Sequence, residues 1–179
     1  SRGGDRFAVV RRSGRVMHDI ETHTGEIDFG KQVQICKKVL DFENPAMVFI
    51  DAGGGDALAD RLWELGYNNV RAIQFGGKAL NPDKYKNKRA EMWGEMAEWL
   101  DPDLSHQEVD IPDDDTLQAD LCTPQISRDS SDRYVLESKD SIKKRGMPSP
   151  DIGDAAALTF AEPVREHIAT QFKIKGSLS

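Results

Sequence analysis

The pattern of apolar and polar positions along the chain predicts a protein built from both strands and helices. Residues 6–12 and 15–23 alternate in polarity on either side of a glycine-containing turn, which is typical of two antiparallel strands. Apolar residues three and four positions apart over 27–42 predict an amphipathic helix. The chain is therefore expected to open with an antiparallel strand pair followed by a helix.

Strands and helices alternate in the next part of the chain. An apolar strand ends at Asp51, a helix spans 57–65, a second strand spans 70–75, and a long helix spans 87–100. Such alternation indicates parallel strands joined by helices. Together with the antiparallel start, it predicts an α/β fold in which a mixed sheet is flanked by helices.

The last third of the chain predicts shorter elements. These are a helix over 112–121, two strands around 126 and 133–136, a charged linker or short helix over 139–146, and a helix that begins at Asp151 and fades near Pro163. We expect one domain over residues 1–164 and a loose tail over 165–179.

Asp51 follows the most apolar of the predicted strands. Residues 46–50 carry no polar side chain, so this strand is expected to be buried. Ligands of open α/β sheets bind beyond the carboxyl ends of the strands, where Asp51 would lie. The glycines at 53–55 let a ligand or another backbone approach closely. Asp51 is therefore a candidate ligand-binding residue, with an ordinary loop residue as the alternative.

Asp151 and Asp154 lie three residues apart at the start of the final predicted helix. Pro150 suits the first turn of a helix, and both acids complement the positive end of that helix. Residues 155–158 are too small and apolar for a solvated face, so the helix is expected to pack closely. Two acids on one buried face repel each other unless a cation, an arginine or a shared proton relieves them. The segment invites a metal-site interpretation, with a simple helix cap at Asp151 as the alternative.

Charge and composition narrow the functions to consider. The 179 residues carry a formal net charge of −7, which argues against a stand-alone nucleic-acid-binding protein. An enzyme that uses metal ions beside phosphate stays compatible with that charge, and basic residues cluster locally over 139–145. No apolar run approaches the roughly 20 residues of a membrane span, so a cytoplasmic protein without a membrane partner is expected. Cys36 and Cys122 form no C-x-x-C motif, so no zinc cluster is expected.

The candidate acids fit metal-assisted phosphoryl transfer better than other chemistries. Carboxylates from a strand end and a distant helix can hold two divalent ions, which activate water and stabilise a leaving oxygen. A donor set of oxygen atoms favours Mg²⁺ or Mn²⁺ over zinc. Nucleotide-binding motifs are incomplete, because the glycines at 53–55 lack the third glycine of a dinucleotide fingerprint and Gly77-Lys78 lacks the rest of a P-loop.

Four motifs follow one another along the chain: VFIDAGG at 48–54, YKNKRAEMW at 85–93, LESKD with KKRG within 136–146, and SPDIGDAAALTF at 149–160. In this order they resemble the C-terminal nuclease domain of the large terminase subunit of tailed bacteriophages. The resemblance spans roughly residues 2–164. It implies an RNase H-like fold and a metal-dependent endonuclease that cuts concatemeric viral DNA during genome packaging.

The resemblance also assigns roles to particular residues. Asp51 looks like the strand-end metal ligand and Asp151 like the acid of the closing helix. Asp154 is a further ligand or its support, ranked after Asp151 because Asp151 lies nearer the helix start. Asp5 resembles an accessory acid beside the first strand. Three lysines are implied to contact the DNA backbone: Lys139, Lys143 and Lys144.

Partners and setting follow from the same resemblance. It implies double-stranded DNA, the terminase ATPase domain, the small terminase subunit and the portal as partners, in the cytoplasm of the bacterial host. In the family a further ligand acid precedes a glycine-rich stretch like that at 2–5. A chain that starts at Ser1, without that acid, is expected to bind metal weakly and to cut slowly or not at all.

Two other functions fit the sequence. A junction resolvase with the same fold would prefer branched to linear duplex DNA. A catalytically silent docking module would use its acids as caps and solvated groups, and Mn²⁺ would not stabilise it.

Overall fold

Short strand pairs and helices make up the parts of the chain that the computed structural model describes, residues 6–25 and 27–164. The first four strands are β1 (Phe7–Val9), β2 (Arg12–Ser13), β3 (Val16–Met17) and β4 (Glu21–His23). Strand β1 pairs antiparallel with β4, and β2 pairs antiparallel with β3. The predicted antiparallel start is confirmed, with each long strand divided in two by irregular backbone at 10–11 and 18–20.

A parallel strand pair follows, as the alternation of elements predicted. Its elements are α1 (Phe29–Glu43), β5 (Val48–Asp51), α2 (Ala52–Glu64) and β6 (Val70–Ile73). Strands β5 and β6 pair in parallel, with Asp51 beside Ile73. Helix α2 begins directly after Asp51, so the predicted helix start at 57 is wrong and the glycines at 53–55 lie in the first helical turns.

The remaining elements are α3 (Lys88–Leu100), α4 (Pro102–Ser105), α5 (Asp115–Cys122), β7 (Ile126–Arg128), β8 (Tyr134–Leu136), α6 (Lys139–Lys144) and α7 (Asp151–Leu158). The charged segment after β8 is thus a short helix, which Ser138 caps. Within the described residues the strands form four separate two-stranded sheets, each strand having two to four residues, and the predicted continuous mixed sheet is not formed by them. The predicted tail at 165–179 lies outside the described residues.

Helix α7 packs unusually closely against helix α3. Ala156 and Ala157 are fully buried, which confirms the predicted packing of the small-residue helix. A Cβ atom added at Gly153 would lie 2.8 Å from the Trp93 ring, closer than such atoms approach in proteins. Only glycine allows the two helices this separation. The main apolar core lies around them, with Met92, Met96 and Leu117 among its fully buried side chains.

Helix α3 also carries a buried ion pair that holds the loop before it. The Glu91 side chain is fully buried and accepts hydrogen bonds from Lys88 Nζ at 2.7 Å and from the backbone amides of Leu80 and Asn81. Burial alone raises the pKa of Glu91, but these three donors outweigh burial and lower it overall. The loop before α3 is therefore tied to the helix through one carboxylate.

Replacing Glu91 should destabilise the protein far more than replacing an exposed acid on the same helix. Glu91→Ala leaves the Lys88 ammonium buried without its partner, so we expect a loss of about 3–5 kcal/mol in the free energy of unfolding. Glu98→Ala removes an exposed ion pair with Lys84 and should cost about 1 kcal/mol or less. Urea denaturation measures both values, and equal losses would show that the Glu91 contacts do not stabilise the fold.

Glu137 joins the end of strand β8 to helix α6. Its carboxylate accepts hydrogen bonds from both Arg145 Nε at 2.8 Å and Arg145 Nη2 at 2.6 Å, and from Ser141 and the Gln125 amide. The Arg145 hydrogen bonds are the main reason why the pKa of Glu137 falls to about 2.

This depressed pKa predicts how acid destabilises the protein. The contribution of ionised Glu137 is complete above its ordinary pKa of 4.5 and is lost as the pH falls towards about 2. Glu137→Gln should therefore lose less stability over that pH range than the parent, whereas Asp140→Asn in the neighbouring helix α6 should behave like the parent. Thermal unfolding at stepped pH measures this, and parallel curves for the parent and Glu137→Gln would contradict it.

Candidate functional site

The start of helix α7 is capped from another helix. Pro150 is its N-cap residue and makes no side-chain cap, so the alternative that Asp151 caps this helix is wrong. Instead, Asp120 Oδ2 on α5 accepts hydrogen bonds from the amide of Ile152 at 2.8 Å and from that of Gly153 at 3.3 Å. Burial raises the pKa of Asp120, and these amides and Arg6 lower it by less. The Asp151 carboxylate consequently makes no cap hydrogen bond to the backbone of its own helix.

Asp151 has one engaged and one open carboxylate oxygen. Its Oδ2 accepts a hydrogen bond from the backbone amide of Arg6 at 3.0 Å and lies 3.8 Å from Arg6 Nε. Its Oδ1 has no hydrogen-bond partner among residues 6–25 and 27–164, and the side chain is 11% exposed. Asp5 lies outside the described residues, but its neighbour Arg6 is in direct contact with Asp151.

Asp51, like Asp151, has one carboxylate oxygen that accepts a hydrogen bond and one that is open. It ends strand β5, and its Oδ1 accepts a hydrogen bond from the Gly53 amide at 2.9 Å. Its Oδ2 has no hydrogen-bond partner in the described part of the chain. Strand β5 and strand β1 both contact helix α7, so the elements that carry Asp51 and Asp151 are packed together. Each of these two acids offers one carboxylate oxygen to a ligand.

Asp154 is engaged on both oxygens by cationic and aromatic neighbours. It is 4% exposed, and its Oδ1 accepts hydrogen bonds from Arg89 Nε at 2.9 Å and Trp93 Nε1 at 2.8 Å. Lys139 Nζ lies 3.0 Å from Oδ2 as an ion pair, at an angle outside that of a hydrogen bond. The repulsion expected between the two acids of α7 is thus relieved by arginines, because Arg6 contacts Asp151 and Arg89 contacts Asp154.

The three lysines with a predicted DNA contact differ in their surroundings. Lys139 is half-buried and points to Asp154. Lys143 and Lys144 are exposed in the last turn of α6. The charge of Lys139 is balanced by Asp154 within the candidate site.

Sequence reasoning missed four residues that surround the acids: Arg6, Arg89, Trp93 and Asp120. Arg89 and Trp93 lie four positions apart within the YKNKRAEMW motif, and this spacing places both side chains on one face of α3. That spacing was a usable signal. Asp120 lies in a stretch with several other acids, and nothing in the sequence separates it from them.

Two of the placed acids fit a hard divalent cation, while a complete ligand cluster is not found among the described residues. No group of three or more His, Cys, Asp or Glu side chains is arranged there to hold a metal ion. Asp51 and Asp151 nevertheless supply open carboxylate oxygens, which are the ligands that Mg²⁺ and Mn²⁺ prefer.

None of the described helices has both the length and the apolar composition of a membrane span.

Sequence comparison finds no match, whereas structural comparison finds solved structures with a similar fold. No protein-family model and no curated protein matches the chain. The nuclease domain of the large terminase subunit gp2 of bacterial virus Sf6, solved as a lysine-to-alanine mutant with manganese and beta-thujaplicinol, matches with a TM-score of 0.73 and 16% identity over 91% of this chain and 85% of that one.

Two further structures extend the likeness. A calcium-containing mutant of gp2c from the bacteriophage Sf6 large terminase subunit matches with a TM-score of 0.70 and 15% identity, over 90% of each chain. The large terminase nuclease from thermophilic phage G20c matches with a TM-score of 0.58 and 18% identity, again over 90% of each chain. This chain therefore has the fold of the nuclease domains of phage large terminase subunits.

Proposed function

We propose that this chain is an RNase H-like, metal-dependent DNA endonuclease domain of a phage large terminase, which cuts concatemeric viral DNA during packaging. One observation supports this above the others: within a terminase-nuclease fold, Asp51 and Asp151 each keep a carboxylate oxygen without a hydrogen-bond partner among residues 6–25 and 27–164. Buried polar groups are ordinarily hydrogen-bonded to protein or ordered water, so an oxygen without a protein donor is open to water or to a cation. Open oxygens on two contacting elements are what a cation site requires.

Asp51 and Asp151 would hold Mg²⁺ or Mn²⁺ directly, with Asp5 as an accessory acid. When bound, such ions activate water and stabilise the leaving oxygen of a phosphodiester. One similar solved structure of the Sf6 nuclease domain contains manganese and one of the G20c nuclease contains magnesium, which supports the choice of metal. Asp154 would stabilise the site without binding the cation, because its own oxygens face Arg89, Trp93 and Lys139.

The basic residues divide between the site and the DNA. Arg6 and Arg89 neutralise part of the acid charge, so the carboxylates stay close together before a cation arrives. Lys143 and Lys144 would contact the DNA backbone from α6. Lys139 would contact the DNA backbone through the exposed part of its side chain while it stays paired with Asp154. This local arrangement lets an acidic protein approach phosphate.

The remaining assignments follow from the terminase fold. Besides double-stranded DNA, the partners would be the terminase ATPase domain, the small terminase subunit and the portal, and the site of action would be the cytoplasm of the bacterial host. A motor that delivers DNA to the domain would remove the need for a strongly basic surface.

Nicking of supercoiled plasmid in Mn²⁺ tests the proposed activity. Asp51→Asn and Asp151→Asn should each reduce the nicking rate by about 100-fold or more, because each removes a charged metal ligand. Asp60→Asn on helix α2 is the matched control, since this acid is exposed and remote from the cap. Nicking by Asp51→Asn at the parental rate would contradict the assignment, and a preference for branched DNA would favour a resolvase.

The two acids of α7 should separate into a ligand and a structural residue. Asp154→Ala leaves Arg89 buried without a carboxylate, so we expect a loss of about 3–5 kcal/mol in stability. Asp151→Asn keeps an oxygen that accepts from the Arg6 amide, so its stability cost should be about 1 kcal/mol or less. Stability from urea denaturation and Mn²⁺ affinity from calorimetry should rank these variants in opposite orders. The same order in both measurements would contradict this division.

A further inference from the structure

Asp120 lies at a junction between three parts of the fold. It is 2% exposed on helix α5, and its carboxylate contacts the first turn of helix α7 and the residue that precedes strand β1. Besides the Ile152 and Gly153 amides, both of its oxygens lie 3.3 Å from Arg6 Nη2. A single buried carboxylate thus binds the positive end of α7 and one side of the Arg6 guanidinium.

The second partner of Arg6 is Asp151. Arg6 Nε lies 3.8 Å from Asp151 Oδ2, and the Arg6 amide donates to the same oxygen. The guanidinium therefore lies between two carboxylates, with its Nη2 turned to Asp120 and to the Ser149 carbonyl oxygen at 3.4 Å. This leaves Asp151 with one backbone hydrogen bond and a long ionic contact on Oδ2, and with Oδ1 open.

We propose that Asp120 is a positioning residue for the candidate metal site, and that it keeps Asp151 Oδ1 open by holding both the α7 amides and the Arg6 guanidinium. The inference rests on the proposed function and deepens it, because it names a residue that controls cation affinity without touching the cation. The same side chain thereby binds two groups that would otherwise compete for Asp151 Oδ1, the first-turn amides of α7 and the Arg6 guanidinium.

Both competitors follow from elementary electrostatics. The first-turn amides of a helix need an acceptor, and without Asp120 the nearest carboxylate on α7 is Asp151 itself. The partly buried Arg6 would also lose one of its two anionic partners and pair with Asp151 alone. Either change places a protein donor on the oxygen that a cation would use. Residues that orient metal ligands in this way affect metal affinity by about 10-fold to 100-fold.

The test titrates the 179-residue protein with Mn²⁺ alone and measures bound ion by electron paramagnetic resonance, so no cleavage is needed. Asp120→Ala should weaken Mn²⁺ binding by about tenfold or more. Asp120→Asn keeps an amide acceptor but loses the charge that holds Arg6, so it should fall between Asp120→Ala and the parent. Circular dichroism checks whether Asp120→Ala folds. If it does not fold, Asp120→Asn alone tests the effect on Mn²⁺ binding.

A double variant separates positioning from simple destabilisation. Arg6→Ala removes the guanidinium but keeps the backbone amide that donates to Asp151. Adding Arg6→Ala to Asp120→Ala should therefore restore much of the lost Mn²⁺ affinity, although it restores no stability. Leu117→Ala, a core truncation on the same helix, is the matched control and should lower stability without lowering Mn²⁺ affinity.

The outcomes distinguish the two proposals. Absence of Mn²⁺ binding by the parent overturns the proposed function, and the role of Asp120 with it. Parental binding that Asp120→Ala and Asp120→Asn leave unchanged overturns only the role of Asp120. Equal losses in Asp120→Ala and Leu117→Ala, without recovery in the double variant, show that Asp120 acts on stability alone.

Discussion

The ion pair between Asp154 and Arg89 fixes helix α7 against helix α3, and the rest of the candidate site depends on that contact. The pair is almost fully buried, and Trp93 donates a second hydrogen bond to the same carboxylate oxygen. Gly153 lets the Trp93 ring lie against the helix backbone. Because a buried pair is costly unless its geometry is satisfied, the two helices are held in one relative position. That position sets where Asp151, one turn before Asp154, meets strand β1.

The acids around α7 divide two tasks that conflict in a single residue. A carboxylate that stabilises the fold needs protein donors on its oxygens, whereas a metal ligand needs oxygens without them. Asp120 and Asp154 take the first task, with amides, arginines and an indole as donors. Asp51 and Asp151 each retain one carboxylate oxygen that accepts no hydrogen bond from the described residues. The proposed site is therefore built from acids that still have an oxygen available for a cation.

Much of the fold could be predicted from the sequence, since it depends on local pattern. The parallel pairing of β5 and β6, the long helix α3 and the buried face of α7 all follow from apolar spacing. The start of α2 was predicted five residues late, because three glycines resemble a turn. In fact Asp51 caps that helix and the glycines continue it. Here a side-chain cap outweighs the low helix propensity of glycine.

The candidate site was predictable only in part, for a physical reason. Strand ends and helix starts can be identified from the sequence, so the places of Asp51, Asp151 and Asp154 in their elements could be predicted. The hydrogen-bond donors to Asp154 and Asp151 come from positions 61 to 145 residues away, as with Trp93 at Asp154 and Arg6 at Asp151. Such pairings are set by tertiary packing and leave no local periodicity. The surroundings of Asp151 and Asp154 consequently differ in a way that their sequence positions do not show.

The most direct test of the central claim is a crystal structure of the protein soaked in Mn²⁺, with the ions located by anomalous scattering. We expect at least one ion within about 2.0–2.6 Å of carboxylate oxygens from both Asp51 and Asp151. Arg89 and Trp93 should still contact Asp154 in that structure. Manganese bound only elsewhere would contradict the claim. So would carboxylates of Asp51 and Asp151 that lie too far apart to bind the same ion.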